Sequence, residues 1–188
     1  MATTKKRNSS VVHMLVAMLV LFVPVVLVTQ LFTRNPEPPI TPIDWQPVAQ
    51  RAAAEASYEV LAPTNLPEGW VATRARFTPG GQSTTGGGDP APGDTFQLGF
   101  LSPEQRYFAL DQRDVAPEAF VTAVTRTGRP DGEGAAGGRT WARYVSEDGR
   151  TRSLVARDGD AATIVSGDLH YEALEAFARA MRPQRELV

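Results

Sequence analysis

One long apolar segment near the amino terminus constrains this chain more than any other feature of its sequence. Residues 11–32 read VVHMLVAMLVLFVPVVLVTQLF and contain no formally charged side chain. At about 1.5 Å per residue, a helix of this length spans about 33 Å, enough to cross a hydrocarbon core of about 30 Å. Pro24 removes one helix hydrogen bond, which a membrane-spanning helix tolerates. The segment therefore predicts one transmembrane helix over residues 11–33, with the lipid bilayer as its partner.

The charges on either side of the apolar segment predict its orientation. Lys5, Lys6 and Arg7 precede it, whereas only Arg34 follows it closely. Because basic residues stay on the cytoplasmic side, we expect residues 1–10 to form a cytoplasmic tail and the C-terminal part to be extracytoplasmic. A cleaved signal peptide is the alternative, but the segment lacks an A-x-A-like cleavage site and is longer than the usual signal core. The predicted location is the plasma membrane, which the chain crosses once.

The composition after the apolar segment favours a stiff spacer and then a globular domain. Residues 34–43 are rich in proline, and we expect them to form an extended linker to a domain over residues 44–188. From residue 34 onward the chain carries 16 arginines and 21 acidic residues, a net charge of −5. This balance argues against a nucleic-acid partner, which usually meets a basic face. The sequence contains no cysteine, which excludes disulfides and thiolate chemistry.

Alternating apolar and polar residues predict mostly strands in this domain. Phe96, Leu98 and Phe100 form the clearest alternation, and the Asp-Gly pairs at 148–149 and 158–159 are typical of tight hairpin turns. Helices are predicted over residues 46–57, 117–125 and 168–182, and Asp168 is the expected N-cap of the last one. Strands are predicted over residues 58–61, 70–78, 95–101, 106–111, 139–146, 150–157 and 160–166. Loops are predicted over residues 80–93 and 126–138. These elements predict an α+β fold, in which an antiparallel sheet of about six or seven strands carries the N- and C-terminal helices on it.

The order of these features resembles one known family. The sequence has Asp44-Trp45 after the proline-rich spacer, then Ala62-Pro63, Leu66-Pro67-Glu68-Gly69-Trp70, Leu98-Gly99-Phe100, Tyr107, Leu110, Trp141 and a closing helix. In this arrangement it is similar to the actinobacterial membrane proteins known as domain of unknown function 4245. The resemblance implies an anchored protein and supplies no catalytic residues. The strand order also resembles the PsbP/Mog1 group, whose members are mostly binding or accessory modules, and this is an analogy of fold alone.

The clearest candidate site is a group of arginines on the predicted strands. Arg74 and Arg76 share one face of a strand, and Arg143 lies on another strand. Guanidinium groups in such an arrangement favour an anion-binding patch. The alternative is an ordinary solvated sheet face, on which these arginines pair with acids of neighbouring strands.

Other motifs for chemistry are weak. His13 lies in the apolar segment, and His170 lies on the apolar stripe of the last predicted helix, where a packed or partly exposed histidine is favoured over a metal ligand. Asp158 and Asp160 do not complete a calcium loop, and the glycine-rich segments lack the lysine of a phosphate-binding loop. We therefore predict no cofactor, no metal and no enzymatic activity. Four acids near one hairpin are expected to form a solvated rim: Glu104, Asp111, Asp114 and Glu118.

These observations favour a non-enzymatic binding or accessory module in the cell envelope. The expected partner is another envelope or membrane protein, or a cell-wall component. A second possibility is a carrier or sensor of a small apolar ligand held between helix and sheet, in a domain that contains Trp70 and Trp141. A third is a hydrolase with an unrecognised carboxylate or serine site. A dry pocket favours the carrier, and a deep cleft lined by acids favours the hydrolase.

Overall fold

The structure is a computed structural model, and the chain divides into two compact units, residues 1–40 and 41–188. The residues that it describes are 7–33, 41–83, 89–115 and 117–186. Most of the predicted tail and most of the predicted linker lie outside the described residues.

The first unit contains helix α1 (Arg7–Thr33). Its side chains are described over residues 12–26, where all are exposed and nearly all are apolar. The apolar residues surround this helix instead of forming one stripe. Over the part of the chain that the structure describes, no helix is long and apolar enough to cross a membrane.

The second unit has the predicted α+β architecture. Its helices are α2 (Gln46–Glu55), α3 (Pro117–Val124) and α4 (Tyr171–Arg179), with a short 3-10 helix (Gln184–Glu186) at the end. Its strands are β1 (Leu61–Pro63), β2 (Val71–Thr78), β3 (Thr95–Leu101), β4 (Tyr107–Arg113), β5 (Arg129–Ala136), β6 (Arg139–Val145), β7 (Arg152–Asp158), β8 (Ala161–Gly167) and β9 (Met181–Pro183). Seven strands form one antiparallel sheet in the order β2-β3-β4-β8-β7-β6-β5, and β1 pairs with β9. This confirms the predicted antiparallel sheet with helices packed on it.

One face of the sheet carries α2 and α4. Helix α2 buries Ala49, Ala52 and Ala53 against the sheet. Helix α4 buries Leu174 and Phe177. Phe177 stacks on Trp70 with ring centroids 5.5 Å apart and also contacts Phe100 and Phe108. Aromatic rings contribute large apolar areas, so this cluster is a main source of the stability of the second unit.

The predicted loop over residues 126–138 is wrong, because β5 occupies most of it. This strand is one of the two edges of the seven-stranded sheet, and its residues from Arg129 to Glu133 are exposed. A register shift between Pro130 and Glu133 interrupts its pairing with β6, and Gly132 has a positive φ of 90°. Proline, charge and bulges are typical of protected edge strands, and they remove the alternating pattern by which a strand is recognised.

The closing helix also differs from its prediction. Its N-cap is His170, whereas Asp168 Oδ1 accepts a hydrogen bond from Thr151 Oγ1 at 2.6 Å. The helix ends at Arg179 and not at Arg182, because Met181–Pro183 pairs with β1 as strand β9. Pairing with such a distant segment overrides local helix propensity.

Candidate ligand groove on the sheet

The second face of the sheet is only partly covered. Helix α3 packs on this face through Phe120 and Val121, which form a small core with Val155, Ala162 and Ile164. Those partners belong to β7 and β8. The half of the face that β2, β3 and β4 form lies beside α3 and carries mainly polar and small side chains.

A row of small residues leaves space above this part of the sheet. Gly99 on β3 pairs with Ala109 on β4, and Ala109 pairs with Ser166 on β8. Because directly paired residues of antiparallel strands point to the same side, the three lie in a row on one face. Ala109 and Ser166 form the floor of an open groove of about 700 Å³.

We name this feature the sheet-face groove and define it by its lining residues. These residues come from β2, β3, β4, β8, the end of α3 and the loops around them. They are Arg74, Gln97, Gln105, Arg106, Tyr107, Ala109, Asp111, Val124, Arg126, Thr151, Ser166, Gly167 and Asp168.

Asp111 is the most unusual member of the groove, since it is an acidic residue of which only 5% is exposed when its backbone is included. Its Oδ1 accepts a hydrogen bond from Gln97 Nε2 at 2.7 Å and lies 3.6 Å from Arg74 Nη2. Burial raises the pKa of Asp111, while Arg74, Gln97 and Arg113 act in the opposite direction. A buried carboxylate with a raised pKa in a cleft is typical of functional sites.

The second oxygen of Asp111 is available to a ligand. Within the described residues Oδ2 accepts no hydrogen bond, and Asp111 is one of the residues that line the groove. A ligand in the groove can therefore approach this carboxylate. A buried carboxylate oxygen gains most from a hydrogen-bond donor that replaces water there.

Arginines give the sheet-face groove a positive balance. Arg74, Arg106 and Arg126 line it, against the carboxylates of Asp111 and Asp168. Two further arginines extend the same face: Arg76 pairs with Gln97 in register and is exposed, and Arg113 donates to Thr95 Oγ1 at 3.0 Å. The groove is thus a cationic patch on a domain whose net charge is negative.

Tyr107 forms one side of the groove and explains the glycine beneath it. A methyl group at Gly99 would overlap the ring and hydroxyl of Tyr107, so the tyrosine can lie on the strand only because residue 99 has no side chain. The tyrosine nevertheless remains 43% exposed. An aromatic ring fixed on a sheet beside polar groups is suited to contact a ligand.

The structure brings together two of the three arginines of the predicted patch. Arg74 and Arg76 lie on the same face, whereas Arg143 lies on the face that carries α4. There Arg143 Nη2 pairs with Glu175 Oε1 at 2.5 Å, and its guanidinium lies 4.9 Å from the centre of the Tyr171 ring. Arg143 holds α4 to β6 and is separate from the groove.

Sequence reasoning missed Asp111, which it placed on a solvated rim. The expectation is wrong for this residue because Asp111 is buried beside Gln97, although Glu104 and Glu118 are exposed. The sequence feature that could have revealed its face is the alternation in β4, where Phe108 and Leu110 point to the core and Asp111 points to the other face. The register that brings it next to Gln97 and near Arg74 is not readable from the sequence.

The other residues considered for chemistry do not converge. His170 is exposed at the start of α4, and Asp158 lies 3.8 Å from Arg139 across the sheet. Among the described residues, no group of three histidine or acidic side chains could hold a metal ion. The groove is therefore the site with the most developed geometry in the described structure.

Comparison with known proteins gives a family and no activity. The sequence profile of a family described as protein of unknown function (DUF4245) matches residues 6–181. No curated protein matches the chain. Among solved structures, a chain of the complex structure of Pseudomonas aeruginosa MucA/MucB is similar at 16% identity and a TM-score of 0.36, over 65% of this chain and 34% of that one. The match spans about a third of that chain's length.

Proposed function

This chain belongs to the DUF4245 family of proteins of unknown function, and we propose that it is a membrane-anchored, non-enzymatic binding module whose sheet-face groove takes up an anionic group of an envelope component. The observation that carries the proposal is the pair of Arg74 and buried Asp111 at the groove. Such a component is a neighbouring membrane protein or a cell-wall polymer.

Electrostatics supports an anionic ligand. The groove collects Arg74, Arg106 and Arg126 on a domain that is otherwise acidic. Arginine binds carboxylates and phosphates through planar, bidentate hydrogen bonds, and partial burial strengthens them. Since like charges elsewhere on the domain repel an anion, the groove is also where an approaching anion is steered.

The proposed location rests on the sequence of the first unit. Basic residues precede the apolar segment, and α1 is a helix of 27 residues with exposed apolar side chains over residues 12–26. We propose that residues 11–33 cross the plasma membrane of an actinobacterium once, with the N-terminus in the cytoplasm. The groove then lies in the extracytoplasmic domain. The analogy with PsbP/Mog1-like accessory modules agrees with this role.

A carrier of a small apolar ligand is less well supported. That alternative needs space between the helices and the sheet. Aromatic side chains fill this region: Trp141 and Phe96 are fully buried, and Phe177 is stacked on Trp70. A close-packed interior of this kind leaves the polar groove as the better binding surface.

Photocrosslinking in living cells tests the proposal. A photoreactive amino acid replaces Gln105 at the exposed rim of the groove, in the full chain in its own host. The matched control replaces Ala176, which is exposed on α4 at the other face. We expect a defined adduct from position 105, little from position 176, and loss of the adduct when Arg74→Gln is added.

Two results would contradict the proposed function. One is equal adduct formation from both positions, which means that the groove is not selective. The other is a groove adduct that persists with Arg74→Gln, since the cationic wall would then have no part in binding.

A further inference from the structure

We infer that the groove recognises an acidic sugar residue, with ring hydroxyls on Asp111 and the negative group on the arginines. This inference rests on the proposed binding function and adds the chemical class of the ligand. The negative group is a sugar carboxylate or a sugar phosphate, and the experiment below separates the two.

Asp111 offers hydrogen-bond acceptors to a ligand. Its Oδ1 accepts from Gln97, its Oδ2 accepts no hydrogen bond from the described residues, and the residue lines the groove. A carboxylate only accepts hydrogen bonds, so a simple anion placed over it meets repulsion without a compensating bond. A ligand with hydroxyl groups next to its charge satisfies Oδ2 and still presents an anion to the cations.

One arginine lies beside this acceptor, and another lies farther along the groove. Arg74 comes from β2, and its side chain is 41% exposed although it lies 3.6 Å from Asp111. Arg106 directly precedes β4, where its Nη2 donates a 2.7 Å hydrogen bond to the carbonyl oxygen of Asp168. A ligand in the groove therefore meets an acceptor next to one cation and a second cation farther along, which suits a charged, hydroxylated molecule.

Tyr107 supplies the apolar contact that a sugar ring needs. Its ring rests on Gly99 and remains 43% exposed beside the groove. The carbon-bound hydrogens of a sugar ring form a weakly apolar face that packs on an aromatic ring. Inorganic phosphate has no such face.

The groove also has the length for more than one ring. It crosses β2, β3, β4 and β8, from Arg74 to Ser166. With neighbouring strands about 4.8 Å apart, this is roughly 14 Å. A short stretch of an acidic sugar chain therefore fits along it.

Calorimetric titration tests the inference with defined probes. The full chain is kept in micelles of a polyoxyethylene detergent, because detergents with sugar headgroups would compete. The probes are trigalacturonic acid, the neutral trisaccharide galactotriose, galactose 6-phosphate and inorganic phosphate. We expect one of the two acidic sugars to bind at least tenfold more tightly than galactotriose and inorganic phosphate.

Variants assign the contacts to residues. Asp111→Asn and Tyr107→Ala should each weaken the binding of the acidic sugar at least tenfold, and Arg74→Gln should do the same. The matched control Arg179→Gln, at an exposed position of α4, should leave the binding unchanged. Because Asp111→Asn removes a buried charge without changing shape, its folding is expected to be intact and is checked by tryptophan fluorescence.

The outcomes separate the inference from the proposed function. If inorganic phosphate binds as tightly as the acidic sugars, or if galactotriose does, the inferred ligand class is wrong. If no probe binds while the groove still gives its adduct in cells, the sugar inference fails and the binding function stands. Loss of that adduct as well as of probe binding overturns both.

Discussion

Arg74 Nη2 lies 3.6 Å from Asp111 Oδ1 across the intervening strand β3, and the two side chains differ sharply in exposure, at 41% and 7%. An exposed guanidinium at this distance compensates a buried carboxylate only in part. The sheet therefore retains a charge that does not stabilise the fold. Such a residue is expected where stability is given up for binding.

Replacing this carboxylate should make the protein more stable. Burial raises the pKa of Asp111, so the stability linked to its proton is fully present below about pH 4 and is lost as the pH rises through the folded-state pKa. Asp111→Asn keeps an acceptor for Gln97 and removes the charge. We expect a gain of about 1 kcal/mol in the free energy of unfolding at pH 7, within the usual range for such sites.

Urea unfolding followed by tryptophan fluorescence measures this effect. All three tryptophans (Trp45, Trp70 and Trp141) lie in the second unit, so the signal reports that unit alone. The difference in the free energy of unfolding between Asp111→Asn and the unaltered protein should grow as the pH rises from about 4 and then level off. A gap that is constant with pH, or a destabilised variant, contradicts the account.

A single methyl group should disturb the groove without unfolding the domain. Gly99→Ala places a Cβ against the far end of the exposed Tyr107 side chain, which can move away. We expect the free energy of unfolding to change by less than about 1 kcal/mol. Binding of the acidic sugar should weaken at least tenfold.

A double-mutant cycle identifies the cause of that loss. In the Tyr107→Ala background, Gly99→Ala should weaken binding no further, because the ring that it displaces is already absent. Additive losses would show that Gly99 acts on the ligand in some other way.

The aromatic cluster under α4 should carry much of the stability. Phe177 is 3% exposed and contacts Trp70, Phe100 and Phe108. Phe177→Ala leaves a cavity and is expected to lower the free energy of unfolding by about 3–5 kcal/mol. The measurement is the shift of the urea midpoint. A loss below about 1 kcal/mol would mean that the cluster is loosely packed.

Tyr171 should make the stability of the fold decrease at alkaline pH. Its hydroxyl donates a hydrogen bond to Asp131 Oδ2 at 2.8 Å. Burial, which is the larger cause, and this hydrogen bond, which is the second cause, raise the pKa of Tyr171 to about 12. The stability linked to its proton is fully present below about pH 10, the ordinary tyrosine value, and is lost as the pH rises through about 12.

Tyr171→Phe isolates this contribution. Below about pH 10 the variant should be less stable by about 1 kcal/mol, the usual contribution of one hydrogen bond. The difference should shrink between pH 10 and 11.5 in urea unfolding. A difference that does not change over this range would contradict the assignment to Tyr171.

The general fold was readable from the sequence, because it depends on local patterns. Alternation marked β3, and Asp-Gly pairs marked the turns at Gly149 and Gly159, both of which have positive φ. Edge strand β5 was missed because its exposed, glycine-containing sequence has no alternation. Strand β9 was missed because its pairing with β1 is a long-range contact.

The candidate site was only partly predictable for the same physical reason. Arg74 and Arg76 are two residues apart on one strand, so their shared face follows from local geometry. The positions of Arg143 and Asp111 depend on the order and register of the strands. Arg143 lies on the opposite face of the sheet, and Asp111 lies in the groove. A residue's face can be predicted within one strand, but its neighbours across strands cannot.

The most direct test of the central claim is the reactivity of single cysteines in intact cells towards a membrane-impermeant maleimide. The chain has no cysteine of its own, so Gln105→Cys at the groove and Ala176→Cys on α4 report without background. If the groove is extracytoplasmic and occupied, we expect rapid labelling at position 176 and slow labelling at position 105. Labelling at position 105 should become rapid when Arg74→Gln is added. Labelling of both positions only after permeabilisation, or equally rapid labelling in both backgrounds, would contradict it.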